Sequence, residues 1–225
     1  MVKNLAGLLE CLETISVTGD TNIEISEIVN DSRKVTENCL FFCISGAAFD
    51  GHNFAKEVVE KGAKVLVVEK EVGEFPGVTI VKVENSRYAM ALISAAYYDH
   101  PAEKLKVIGI TGTKGKTTTA YMIRNTLELA GCKTGLIGTI EAIIGDTHIP
   151  ANNTTPESYF VQKYFREMVD AAHERGIKVI LDGVYSHTGS NSLYFNRNGA
   201  FDGVGAFQSE ESPYYSWYKF YQWPM

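Results

Sequence analysis

Cysteine is scarce in this chain, and the little there is shows no pattern. Cys11, Cys39, Cys43 and Cys132 form no C-x-x-C pair and have no histidine cluster beside them. That excludes zinc ligation and a disulfide frame, and it predicts reduced, mostly buried thiols. No apolar run near the N-terminus is long enough for a signal peptide or a membrane span, so a cytoplasmic protein is expected. Positive charge is not in excess either. A formal net charge of −6 gives no basic surface for a nucleic acid or a membrane. What remains is an ordinary globular composition. The 225 residues can hold one large domain or two small ones, and a monomer is expected.

The most informative stretch is 107–119, VIGITGTKGKTTT. Residues 107–110 form a short β-branched run, as expected of a buried parallel strand. The run breaks into Gly112-Thr113-Lys114-Gly115, and Lys116-Thr117 opens a helical pattern reaching about residue 130. Strand, glycine turn and helix start make an anion site, because backbone N–H groups point inward and the helix N-terminus is partly positive. Lys116 supplies a mobile charge for outer phosphates, and the Thr117 hydroxyl can hold Mg²⁺. The strict Walker pattern wants a glycine where Ile110 stands, so this is a shorter G-T-x-G-K-T form.

The short form resembles the Mur ligases, ATP-dependent enzymes of peptidoglycan precursor synthesis, and the likeness runs from residue 1 to about 170. By that resemblance Gly112, Thr113, Lys114, Gly115, Lys116, Thr117 and Thr118 bind ATP, with Mg²⁺ on Thr117. Two further stretches narrow the resemblance to the MurE type. Taken alone, Asp31-Ser32-Arg33 is a turn and 46–52 (GAAFDGH) a plain connection. Taken together they look like the part of MurE-type ligases that holds the uridine end of a UDP-N-acetylmuramoyl-peptide. This places Ser32, Arg33 and His52 near uracil and diphosphate, and arginine's planar fork suits a diphosphate. The stretch 153–157 (NTTPE) reads as a helix start, with Thr155 as N-cap and Pro156 in the first helical position. In the family the same stretch contacts the muramoyl peptide, so Asn153, Thr154 and Thr155 join the candidate substrate residues.

Between these motifs the pattern alternates. A short helix around Leu5–Leu9 is followed by strands over 23–29 and 39–45, a helix over 53–62, strands over 65–68 and 78–83, and a helix over 86–98. In that last helix Tyr88, Leu92, Ala95 and Ala96 fall near one face. His100-Pro101 breaks the run. Beyond the loop helix come a strand over 134–139, a hairpin turning at Gly145-Asp146, and an amphipathic helix carrying Phe160, Val161, Tyr164, Phe165, Met168, Val169 and Ala172. The expected class is α/β: a Mur-ligase N-terminal domain over 1–100 and a phosphate-loop, parallel-sheet domain over 101–171.

From 172 to 225 the chain instead resembles the α-amylase superfamily of glycoside hydrolases, as a fragment of a (β/α)₈ barrel. Asp182 and His187 fall on that family's D-x-V-x-x-H motif, with Ser186 where many members have asparagine. A join within 166–171 makes the chain a chimera. The ligase chemistry needs a Mg²⁺-binding glutamate on the strand after the amphipathic helix, a modified lysine and a C-terminal domain, and none is present. The glutamate's place falls on Gly183. Asp182 is one residue early, which on a strand means the opposite face. Glycosidase chemistry needs two carboxylates flanking the scissile bond, and in the amylase superfamily both lie on later strands. A binding fragment of a MurE-type ligase is therefore expected, with an α-amylase-type hydrolase as the alternative. The run 177–181 is expected to enter the ligase sheet as a parallel strand, and 183–225 to hold no long regular element.

Overall fold

The structure, a computed structural model of the chain, describes residues 1–46, 49–151, 156–172, 178–182 and 211. The first half begins with β1 (Lys3–Asn4), α1 (Leu5–Leu9), β2 (Ser16–Thr18), β3 (Glu24–Ile25), β4 (Glu27–Val29) and β5 (Cys39–Phe42). It continues with α2 (Ala55–Glu60), β6 (Val65–Val68), β7 (Thr79–Lys82) and α3 (Ser86–Tyr97). Five strands form one sheet in the order β2-β7-β6-β5-β4. β4 to β7 are mutually parallel, and β2 runs antiparallel against β7.

β5 and β6 are buried on both faces, as central parallel strands should be. Leu40, Phe42, Val65 and Val67 meet α1 and α3 on one side, while Cys39, Phe41, Leu66 and Val68 meet α2 on the other. This alternation is the period of two written into the apolar runs. The expected strand over 23–29 is two strands, because it changes partner at Ser26. Residues 24–25 pair with β1, and residues 27–29 with β5.

The face read for α3 needs correction. Tyr88 is 64% exposed, and the buried stripe is Ala89, Met90, Ile93 and Tyr97. The stripe of smaller residues fits against the sheet, while Tyr88 keeps its hydroxyl in water. The cysteines also differ from expectation: Cys39 and Cys43 are buried but Cys11 is exposed. Burial pushes the Cys43 thiol up to about 12.

The second half holds β8 (Lys106–Ile110), α4 (Lys116–Leu129), β9 (Thr134–Ile137), β10 (Glu141–Ile144), β11 (Thr147–Pro150), α5 (Ser158–Ala172) and β12 (Lys178–Asp182). The hairpin β10–β11 turns at Gly145-Asp146, as its sequence predicts. The sheet order is β11-β10-β9-β12-β8, and β12 lies parallel between β8 and β9. The segment expected to enter the ligase sheet does so, and no barrel is formed by the described residues. α4 covers one face through Ala120, against Leu136 and Ile143. α5 covers the other through Phe165 and Met168, against Ile137 and Ile144.

Two expectations fail here. β8 is not a buried strand: it is an edge strand among the described residues, and Val107 is 41% exposed. Pro156 is not the first helical residue either, because α5 begins at Ser158 and the Glu157 carbonyl accepts from Val161 N–H at 3.2 Å. Glu157 is held by a pair of 2.6 and 2.7 Å contacts from Arg87 of α3. α5 thus bridges the two halves, with Tyr159 buried in the core of the first.

Candidate functional site

The carboxyl ends of the parallel strands β9, β12 and β8 lie at one edge of the second sheet, where α/β proteins place their ligands. β8 ends there in the glycine loop. Gly115 is the N-cap of α4 with φ of 79°, a left-handed conformation that a side chain would resist. Having no side chain, it leaves the helix without a side-chain cap, so the first-turn N–H groups face the loop. Lys116 folds back and donates from Nζ to the Gly112 carbonyl at 2.8 Å. Thr113, Lys114 and Thr118 are exposed. Thr117 is part-buried in the first helical turn. These are the parts of a phosphate cradle: a glycine turn, a helix N-terminus and a retractable ammonium. Asp182 is in register with Ile110, the last residue of β8 before the loop. Ile110 itself packs with the α4 cluster. Gly183 and His187 lie outside the described residues.

The first sheet gathers its candidates in the same way. A tight turn over Ser32–Lys34 follows β4, and a second over Gly51–Phe54 follows β5. β4 and β5 are parallel neighbours, so both turns stand at one edge. Asp31 caps the first turn by accepting from Arg33 N–H at 3.0 Å. The same carboxylate takes the Arg33 guanidinium through Nε at 2.9 Å and Nη2 at 2.8 Å. That fork holds the Asp31 carboxyl at about 2. The Arg33 side chain is nevertheless 86% exposed, so it can exchange Asp31 for another anion.

His52 behaves differently. Its Nδ1 meets Asp50 Oδ1 at 2.5 Å, and its Nε2 accepts the Glu69 backbone N–H at 3.0 Å. A buried ring with both nitrogens engaged has none left for a ligand, so His52 supports the site from within. Sequence reasoning missed Asp50, which also binds Lys70 at 2.7 Å. The signal was present, since an Asp two residues before a His at a turn is a side-chain cap. It also missed Lys34, whose ammonium sits 5.5 Å from the centre of the Phe160 ring. Asn153, Thr154 and Thr155 lie outside the described residues. A small pocket opens at the carboxyl end of β9, lined by Ile137, Ala142, Ile149, Pro150, Phe160 and Tyr164.

Fold and loop together define an α/β protein with a phosphate-type anion loop at the carboxyl edge of its sheet. Comparison with known proteins makes this specific. Residues 24–98 match the family model described as Mur ligase family, catalytic domain, and 110–178 match the Mur ligase middle domain. Over these stretches the chain belongs to the Mur ligase family. It is 49% identical over 181 residues to UDP-N-acetylmuramoyl-L-alanyl-D-glutamate--2,6-diaminopimelate ligase 1 of Clostridium acetobutylicum, covering 80% of this chain and 36% of that protein. With the like-named ligase of Clostridium tetani it is 44% identical over 196 residues, covering 86% of this chain and 39% of that one. The chain thus spans well under half the length of these relatives. A solved structure of a ligase of that name superposes with a TM-score of 0.60 at 17% identity, covering 90% of this chain and 39% of that one. That likeness concerns the fold. Residues 153–224 also match the alpha amylase catalytic domain, overlapping the ligase match over 153–178.

Proposed function

We propose that this chain is the nucleotide- and substrate-binding portion of a MurE-type ligase, with domains over 1–100 and 101–171. The parent reaction joins a diamino acid to UDP-N-acetylmuramoyl-L-alanyl-D-glutamate with cleavage of ATP to ADP and phosphate, and 2,6-diaminopimelate, which appears in the relatives' names, is the diamino acid this proposal takes. The observation that carries the reading is the uncapped helix N-terminus of α4 behind Gly115, with Lys116 parked on the loop carbonyl. Such a cradle suits a triphosphate with Mg²⁺ on Thr117. The exposed Arg33, with Ser32 on the same turn, suits the diphosphate of the nucleotide sugar, and Asn153, Thr154 and Thr155 complete the substrate set.

Residues 172–225 are the amylase-like part of a chimera whose join lies inside α5. The place of the ligase's Mg²⁺-binding glutamate falls on Gly183, which has no carboxylate, so the chain binds without forming an amide bond. No described helix is long and apolar enough to cross a membrane.

Titration calorimetry tests this reading. Mg-ATP should bind the unaltered chain, and Lys116→Ala should lose about 1.5–3 kcal/mol of that affinity. Equal affinities would remove the loop from the account. Amide-bond formation with the UDP-muramoyl-dipeptide and any diamino acid would overturn the claim of binding without turnover.

A further inference from the structure

The turn after β4 is held from several sides before any ligand arrives. Asp31 Oδ1 caps it by accepting from the Arg33 N–H at 3.0 Å, and the Asp31 carbonyl accepts from the Lys34 N–H at 2.9 Å. Lys61, just past α2, donates from Nζ to the Ser32 carbonyl at 2.9 Å. On this fixed turn Arg33 is a long side chain that could swing freely, and Asp31 holds it as well. Its Oδ1 accepts from Nε at 2.9 Å and its Oδ2 from Nη2 at 2.8 Å. A guanidinium carries its N–H donors in one plane, along two usable edges. The pair with Asp31 takes the inner edge. The outer edge, Nη1 with the second Nη2 hydrogen, has no partner among the described residues, and the side chain is 86% exposed.

An anion can reach Arg33 either by displacing Asp31 or by meeting that outer edge. Displacement would leave the Asp31 carboxylate, still pinned by its cap bond, beside the incoming anion, and like charges set side by side are unfavourable. We infer that Asp31 is a positioning residue, which stays in place and presents the outer edge of Arg33 to the diphosphate of the nucleotide sugar. The inference rests on the reading of Arg33 as a diphosphate ligand. Two phosphate oxygens match the parallel N–H groups of one guanidinium edge. Holding a rotamer-rich side chain in advance removes the entropic cost of freezing it on binding, a factor of about threefold to tenfold in affinity. Electrostatics alone gives the opposite sign, because a carboxylate beside an anion site weakens it. The sign of the effect of removing the Asp31 charge therefore separates a positioning residue from a competing anion.

The test is calorimetry with UDP on the full chain, with Mg-ATP as the control ligand. Asp31→Asn keeps the Oδ1 that caps the turn and sets an amide donor against Nη2, so it spoils the fork and spares the turn. It should weaken UDP about threefold to tenfold, with Mg-ATP affinity and the thermal midpoint unchanged. In an Arg33→Met background, where UDP binds less tightly from the start, the same change should weaken UDP no further. UDP binding by Asp31→Asn that equals or exceeds that of the unaltered chain overturns the inference. So does a loss of the same size in both backgrounds, or one accompanied by a lower thermal midpoint, either of which assigns the effect to the turn. These outcomes leave the ligase reading standing. If Arg33→Met and the unaltered chain bind UDP alike, or neither binds it while Mg-ATP binds, Arg33 is no diphosphate ligand, and that part of the reading falls together with the inference.

Discussion

His52 donates from Nδ1 to Asp50 and accepts the Glu69 backbone N–H at Nε2, so its ring ties the ends of two neighbouring strands together. The Nε2 that accepts cannot also carry a proton, which leaves the Nδ1 proton for Asp50. Asp50 is bonded further by Lys70. Lys70 first, and His52 after it, hold the Asp50 carboxyl well below the usual carboxylate range.

A carboxyl depressed in the folded state adds stability above its unfolded value and loses it as pH falls through the folded one. Asp50→Asn should therefore be less stable than the unaltered chain at pH 7, and the gap should close only well below pH 3.8, the unshifted value. His52→Ala should cost about 1–3 kcal/mol at pH 7, since it strands the Glu69 N–H and removes a buried ring. Urea unfolding across the acid range checks both. A gap for Asp50→Asn that stays constant from pH 7 to strong acid would show that its charge plays no part.

The loop motif, the hairpin and the entry of β12 into the sheet were legible in the sequence because each is local. A glycine turn followed by Lys-Thr, a Gly-Asp turn between apolar runs, and a short apolar run after a helix each carry their own geometry. Several features were not legible because each depends on a distant partner. The break at Ser26 comes from its hydrogen bonds to Asn38 and Glu37, at 3.0 and 2.7 Å, and alternation along 23–29 cannot show it. The edge position of β8 depends on which strands exist elsewhere in the sheet. His52 was assigned to the ligand because its loop was recognised as a unit. Only the ring's contacts reveal that it faces Asp50 and Glu69.

A second prediction concerns the seat of α5. A Cβ at Gly135 in β9 would lie 2.6 Å from the Met168 sulfur, and Met168 is fully buried. Gly135→Ala should destabilise by about 1–3 kcal/mol through overpacking. In a Met168→Ala background the same change should cost much less, because the cavity accepts the added methyl. Additive effects in the double-mutant cycle would mean that helix and sheet do not touch there.

The amylase-like part makes a third. Glycoside hydrolysis needs two carboxylates about 5–10 Å apart, one the acid and the other a nucleophile or base, and the amylase motif in this chain brings only Asp182 and His187. Purified protein should release no reducing sugar from maltooligosaccharides. Release that disappears in Asp182→Ala would show that a working pair of carboxylates exists.

The last prediction asks which parent governs β12. The strand is amylase-like in sequence, yet its five residues pair with β8 on one side and the first four of them with β9 on the other, Lys178 opposite both Lys106 and Thr134. A parallel strand with two neighbours has its amides bonded on both sides, and opening it requires parting the sheet. The apolar run that lets it form is the kind any buried parallel strand needs, so the ligase sheet can accept it whatever its origin. Right-handed crossover from α5 is the near-universal rule for such units, and it carries the chain into the slot between β9 and β8. Hydrogen exchange followed by mass spectrometry should therefore find amides 178–182 protected as strongly as those of β9. Those of β8 should exchange faster where they face its open edge. Rapid exchange over 178–182 with β9 still protected would mean that β12 does not complete the sheet. Asp182 would then lose its place beside the phosphate loop.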